Sequence, residues 1–280
     1  MILNNLDDVA DRYDAVFCDV WGVIHNGRRL YPGAAEALTR FRDAGKSVIL
    51  LTNIPKPRDP IPAQLDRLGF TRRAYDVIVT SGDAIRAALG ARAPGPMYKI
   101  GPPRDESLWR GLGLTQAPLA EAAFFAISGL NHDEEAPEVY AELLRAARAR
   151  DLELLCANPD IVVRVGDELM WCAGAVARDY TALGGRVVMA GKPHAPIYKL
   201  AFDELTALRG ATAGARVLCI GDGVGTDVRG ANDQGLDCLF IASGMHGEAL
   251  MTGGALDEAK ARAALAEEGV QAQFVMDALR

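Results

Sequence analysis

The chain has 280 residues and a formal net charge of −7, and half of its residues are hydrophobic. This suits one large α/β domain or a core with an inserted second unit, with enough apolar residues for a sizeable interior. The acidic balance argues against a nucleic-acid partner or an anionic membrane surface, but it permits a small anionic ligand whose charge a metal ion offsets. The first residues, MILNNLDDVADRYD, are too polar for a secretory signal, and no apolar run is long enough to span a bilayer. Five cysteines without a CxxC pair fit a reducing compartment, so a cytoplasmic location is expected.

In chain order, AVFCDV (15–20) is a short apolar run expected to be a buried strand, followed by a loop through GVIHNGRRLYPG. Residues 33–44 have helical spacing, with Ala34, Ala37, Leu38 and Phe41 on one side and Gly45 as a stop. Strands are expected at 47–52 and 76–81, with helices at 63–68 and 83–89. This alternation predicts a parallel sheet with right-handed crossovers. ARAPGPM (91–97) breaks the pattern. A second α/β unit is expected after it: strands at YKIG and AFFAIS, a helix around Leu108, a helix over 138–150, the short strands LELLC, IVVRV and ELMWC, and a helix near 175–183. From Gly191 the first pattern resumes, with helices at 196–208 and 224–234, strands at RVLCIGD and DCLFIAS, and a C-terminal helical stretch. The expected organisation is a doubly wound parallel-sheet core built from 1–90 and 189–280, with an inserted domain over 91–188.

Four separated stretches carry candidate chemistry. Asp19 stands at the carboxyl end of the first strand, where open parallel sheets bind ligands. Thr52 and Asn53 close the second strand and offer hydroxyl and amide donors to phosphate oxygens, or plain turn chemistry. Lys192, between Gly191 and Pro193, is poor helix material and is expected to project from a loop into a cleft, the plainer reading being a solvated lysine. In GDGVGTDVRGA (221–231), Asp222 and Asp227 flank a glycine turn and could hold a hard cation such as Mg²⁺. The plainer reading there is an Asx turn with Asp227 capping the next helix. All four stretches fall at strand ends or just before helices, so one cleft can gather them. Phosphoryl transfer needs little beyond positioning and charge neutralisation. Asp19 would attack and form an aspartyl-phosphate that water hydrolyses, Thr52 and Asn53 would grip the phosphate, and Mg²⁺ with Lys192 would offset the repulsion between the two anions. No GxGxxG follows the first strand and no GxxxxGK[ST] occurs, which argues against a nucleotide-binding module.

Through FCDVWGVIHNG (17–27), LLTNIPKP (50–57), GKPH (191–194) and IGDGVGTDVRGA (220–231), the chain resembles the haloacid-dehalogenase superfamily, specifically the class IIA (NagD-type) phosphatases. TSGDA (80–84), CANPD (156–160) and CAGA (172–175) extend the resemblance over nearly the whole chain. It implies a Rossmann-like core with a C2-type cap, Mg²⁺ as cofactor and a small phosphorylated metabolite as substrate. It further implies Asp19 as nucleophile and metal ligand, Thr52 as a phosphate ligand, Lys192 as the residue orienting both, and Asp222 with Asp227 at the metal. A homodimer through the cap is compatible with it. Asn158 and Asp160 match a cap loop that roofs the cleft, the plainer reading being an Asn-Pro turn, whereas Trp109, Trp171 and Arg164 are expected in packing or at the surface.

One motif departs from the family. Where it reads Asp-x-Asp-Gly, this chain reads Asp19-Val20-Trp21-Gly22. Trp21 keeps the backbone carbonyl that the family uses as a metal ligand but has no carboxyl to protonate the leaving oxygen, a contribution worth roughly 10²–10⁴ in rate. The expected consequences are a slow enzyme or one restricted to good leaving groups such as aryl or acyl phosphates, a substitute acid of which His25 is the nearest in sequence, a silent phosphate-binding protein, or a metal-independent dehalogenase.

Overall fold

A computed structural model describes residues 1–210 and 214–280, apart from the side chain of Glu248. Its strands are β1 (Ala15–Cys18), β2 (Ser47–Thr52), β3 (Val77–Thr80), β4 (Met97–Ile100), β5 (Phe124–Ile127), β6 (Glu153–Cys156), β7 (Val162–Val165), β8 (Glu168–Trp171), β9 (Arg186–Met189), β10 (Val217–Gly221), β11 (Asp237–Ile241), β12 (Met251–Thr252), β13 (Ala255–Leu256) and β14 (Phe274–Met276). Six form a parallel sheet in the order β14-β11-β10-β1-β2-β3, and four form a second parallel sheet in the order β4-β5-β6-β9. β7 and β8 make a separate antiparallel hairpin.

The first sheet is doubly wound. Its strand order reverses between β1 and β10, and a ligand crevice opens outside the carboxyl ends at such a reversal. β1 and β2 are buried along their whole length, the pattern of parallel strands covered on both faces. Alternate residues feed opposite layers. Val16, Cys18, Val48 and Leu50 pack with Leu38 and Phe41 of α1 (Ala34–Asp43), and with Ile61 and Leu65 of α2 (Ile61–Arg67). Ala15, Phe17, Ile49 and Leu51 face the other way, toward residues that include Ile197, Tyr198 and Leu205. α1 sits where its apolar spacing places it: Ala34, Ala37, Leu38 and Phe41 are its buried residues.

The second sheet leans on the first through α3 (Ser81–Gly90). Ile85 and Leu89 of that helix pack with Met97, Phe124, Ala126 and Leu155. Its other face is covered by α4 (Ala141–Ala149) and α5 (Ala173–Ala182). The chain then returns through α6 (Ala195–Arg209), α7 (Arg229–Asp233) and α8 (Glu258–Glu267). Among the described residues no helix is long and apolar enough to cross a membrane, and the five cysteines are buried and free.

Several expectations shift. β9 and β14 occupy sheet edges where no strand is expected: each is short and is completed only by pairing, with β6 and with β11. The helix expected around Leu108 is a 3₁₀ turn, Pro103–Leu108. The helix expected over 224–234 opens as a single wide π turn, Val224–Val228, in which the amides of Asp227 and Val228 share the Gly223 carbonyl at 2.8 and 3.1 Å. Asp227 therefore lies inside the turn, and the residue at the cap is Gly223.

The start of α5 has no room to spare. A Cβ on Gly174 would come within 2.1 Å of the Pro159 carbonyl oxygen, and the Gly174 amide donates to the Asp160 carbonyl at 3.0 Å. Gly174→Ala is expected to lower stability by about 1–3 kcal/mol through overpacking, read as a reduced urea midpoint at unchanged slope. An unchanged midpoint would show that the 158–160 loop yields freely.

Candidate active site

The reversal between β1 and β10 places Asp19 one residue past β1 and Asp222 one residue past β10. Carboxylate oxygens of Asp19, Asp222 and Asp227 lie within 4.8 Å of one another, and all three residues are buried. Lys192, expected in a cleft, is only 3% exposed. Its ammonium donates to Asp19 Oδ1 and Asp227 Oδ1, each at 2.7 Å. Asp19 Oδ1 also accepts from the Val20 amide at 2.7 Å, and Asp227 Oδ2 from the Gly223 amide at 3.0 Å. Asp222 Oδ2 accepts from the Met245 amide.

Glycines make this crowding feasible. A Cβ on Gly22 would sit 1.9 Å from Asp222 Oδ2, and one on Gly244 would sit 2.1 Å from the same oxygen. Gly22 also has φ +80°, a conformation that disfavours side chains. The loop at Gly244 and Met245 was not among the expected site segments. No charged residue marks it, and only its approach to Asp222 gives it a role.

Burial raises the Asp19 carboxyl, reinforced by Asp227 and opposed by Lys192. Burial, then Asp227, pushes Asp222 up to about 7. Burial opposes the charge on Lys192, but Asp19 and Asp227 outweigh it and hold the ammonium protonated. Three carboxylates and one ammonium leave two formal negative charges, which a divalent cation with oxygen ligands matches.

The second strand supplies the neighbouring wall. The Thr52 hydroxyl accepts from the Ile54 amide at 3.3 Å. Asn53, expected as a phosphate donor, uses its amide to brace the site: Nδ2 donates to Asp160 Oδ1 at 2.8 Å and to the Lys192 carbonyl at 3.1 Å, while Oδ1 accepts from the Lys192 amide at 2.8 Å. Asp160 thereby joins the cluster from the second sheet, and burial raises its carboxyl. Asn158 closes that loop by accepting from the Asp160 amide at 3.1 Å.

Trp21 faces the β7–β8 hairpin. Its indole N–H donates to the Arg164 carbonyl at 2.7 Å, and the Gly166 amide donates to the Asn26 carbonyl at 3.0 Å. The Arg164 guanidinium reaches the Met245 carbonyl at 3.4 Å. His25 stacks edge-on against Trp21 at 4.9 Å, and its Nδ1 accepts from the Gly27 amide at 2.9 Å. Burial lowers its pKa to about 4, so it is neutral at physiological pH. Trp109 belongs to the apolar core and Trp171 is 40% exposed, in keeping with the expectation of packing or surface positions.

A haloacid dehalogenase-like hydrolase model matches residues 16–115, and a HAD-hydrolase-like model matches residues 189–277. A solved hydrolase of the haloacid dehalogenase-like family from Brucella suis 1330 is 44% identical, with all of both chains covered and a TM-score of 0.88. The chain belongs to the haloacid dehalogenase-like hydrolases. Its class IIA motifs agree with that placement. A D-glycerol 3-phosphate phosphatase from Mycobacterium tuberculosis is 28% identical over 254 residues, covering 86% of this chain and 66% of that protein. A glycerol phosphate phosphatase from the same organism, solved in complex with magnesium, is 25% identical, with 88% and 73% of the two chains covered and a TM-score of 0.62.

In this haloacid dehalogenase-like hydrolase a cavity of about 640 Å³ opens between the two sheets. Val20, Trp21, His25, Thr52 and Asn53 bound it on one side, and Asn158, Asp160 and Trp171 on the other. The acidic cluster adjoins it through Val20 and Thr52 without lining it.

Because the folded Asp222 carboxyl titrates near 7 and an unfolded one near 4, its contribution to stability is present at low pH and is lost as pH rises through 7. A cation that needs the carboxylate competes with that proton. Mg²⁺ is therefore expected to raise the melting temperature more at pH 8 than at pH 6, and Asp222→Asn to remove most of the increase. Equal Mg²⁺ shifts in the wild type and Asp222→Asn would show that the cation binds elsewhere.

Proposed function

We propose that the protein is a Mg²⁺-dependent hydrolase of small phosphomonoesters working through an aspartyl-phosphate. Residues 1–90 and 189–280 would form its catalytic core and 91–188 its cap. The observation that carries this reading is the meeting of Asp19, Asp222 and Asp227 within 4.8 Å, with Lys192 bridging two of them. Such a cluster is costly to bury and makes sense where a cation and an anionic substrate share it. The phosphatase relatives support the same chemistry.

Asp19 has one oxygen tied to Val20 and Lys192, which fixes the carboxylate and leaves Oδ2 as the attacking atom. As Oδ2 bonds to phosphorus, the ester oxygen departs with its electron pair. Water then cleaves the aspartyl-phosphate and restores Asp19. Lys192 holds Asp19 in line and offsets the charge that builds up between two anions. Thr52 lies beside the phosphate, and Asn53 keeps strand β2, Lys192 and the Asp160 loop in register. Mg²⁺, held by Asp19, the Trp21 carbonyl and Asp222 with Asp227 behind them, would supply charge neutralisation.

No proton donor stands at Trp21. Its N–H is already bonded to Arg164, and neutral His25 is a poor acid. The ester oxygen would then leave unprotonated, which favours weakly basic leaving groups. Asp19→Asn is expected to lower Mg²⁺-dependent phosphate release from phenyl phosphate by at least about 10³-fold. Retained turnover would sink the nucleophile assignment, whereas ligand binding with no wild-type turnover would mark a silent phosphate binder. Across aryl and alkyl phosphates, kcat/KM should fall steeply as the leaving group becomes more basic. Trp21→Asp should flatten that dependence, raising alkyl relative to aryl turnover by about 10-fold or more. A shallow wild-type dependence would reveal an acid elsewhere.

A further inference from the structure

The carboxyl edges of both parallel sheets face the same cavity. From the second sheet, Asp105 follows β4, Ser128 follows β5, and Asn158 with Asp160 follows β6. Asp160 is bonded to Asn53 beside the proposed phosphate position. Adjacent strands lie about 4.8 Å apart, so the β4 end of this edge stands about 10 Å from the β6 end. Lys56, from the loop after β2, reaches Asp105 there: Nζ to Oδ1 is 3.5 Å, with the two side chains 15% and 5% exposed.

Lys56 is held from behind. Its carbonyl accepts from the Thr80 hydroxyl at 2.6 Å, and a Cβ on Gly82 would come within 2.3 Å of that same carbonyl oxygen. The side chain is thus presented from a fixed backbone. At 3.5 Å the pair is looser than a charge-assisted hydrogen bond, which closes to roughly 2.7–2.9 Å. An ammonium has three donors, and a carboxylate accepts several bonds. Ser128 stands beside Asp105, 1% exposed, its hydroxyl without a hydrogen-bond partner of ordinary geometry. Nearby, Arg104 and Asp133 neutralise each other through a two-pronged contact at the exposed rim. The cavity's lining also includes the apolar side chains Ile54, Leu65, Leu130, Val163 and Trp171.

We propose that Lys56 and Asp105 form a second binding subsite, selecting phosphomonoesters whose organic group is uncharged, about one ring long and ends in a hydroxyl. A hydroxyl accepts from Lys56 and donates to Asp105 at once. A carboxylate in that place would face Asp105, and an ammonium would face Lys56. A ring suits these apolar side chains, and with a substituent at each end it extends across most of the two-strand separation.

This inference rests on the phosphomonoesterase reading, so its test uses binding. Isothermal titration with Mg²⁺ present compares benzylphosphonate with its para-hydroxymethyl and para-carboxy derivatives, on the wild type and on Lys56→Met/Asp105→Asn. The double change removes both charges and leaves neither buried alone. The hydroxymethyl compound should bind the wild type about tenfold more tightly than benzylphosphonate, and the carboxy compound no more tightly. In the double variant the preference should fall to within about twofold. A merely structural effect would weaken all three ligands equally and leave the ratio intact. Equal binding in the wild type, preference for the carboxylate, or an unchanged ratio in the variant would overturn the subsite. If phenyl phosphate is hydrolysed in an Asp19-dependent way while the preference is absent, the subsite fails and the phosphatase reading stands. If the preference is present without turnover, the reverse holds.

Discussion

Three buried carboxylates within 4.8 Å of one another, two of them bound by a single ammonium, are the constraint around which the molecule is arranged. Like charges at that separation repel strongly once water is removed. Lys192 can satisfy two of them only because its loop is fixed at both backbone groups by the Asn53 amide. Asp222 can approach only because Gly22 and Gly244 have no side chains to occupy its space. The wide turn that carries Asp227 lets Gly223 satisfy its second oxygen. Bonds from the backbone amides of Val20, Gly223 and Met245, and missing Cβ atoms, hold what Coulomb's law alone would push apart.

The second organising feature is the opposition of two parallel sheets. Each presents the carboxyl ends of its strands, where loops rather than strands supply side chains, to the same cavity. The first sheet contributes the charged cluster at its point of reversal. The second contributes a row of polar residues ordered by strand position, from Asp160 against Asn53 to Asp105 against Lys56. Helix α3 joins them: its Ala84 packs against the apolar layers of both sheets, and Ile85 and Leu89 sit in that of the second.

Trp21 shows how one residue can exchange chemistry for architecture. A carboxyl at this position could carry a proton. The indole instead ties the core loop to the β7–β8 hairpin through the Arg164 carbonyl, and the Gly166–Asn26 bond continues that seam. The seam along the cavity and the absence of a carboxyl at position 21 thus have a common origin in that side chain.

Much of this was legible in the sequence by itself. The alternation of apolar runs with helical spacing gave the doubly wound core, because buried parallel strands and amphipathic helices each have a period that residue order displays. Asp19, Thr52, Lys192, Asp222 and Asp227 stood out because strand ends, glycine turns and a lysine between glycine and proline are local patterns. Tertiary structure alone decided that Asn53 braces Lys192 and Asp160, that Lys192 is buried, that Gly244 and Met245 cradle Asp222, and that Lys56 meets Asp105 across the cavity. The short edge strands β9 and β14 also declared themselves only by pairing with β6 and β11. The physical reason is the same throughout: these roles depend on distances between residues far apart in the chain, and no local period or propensity encodes such a distance.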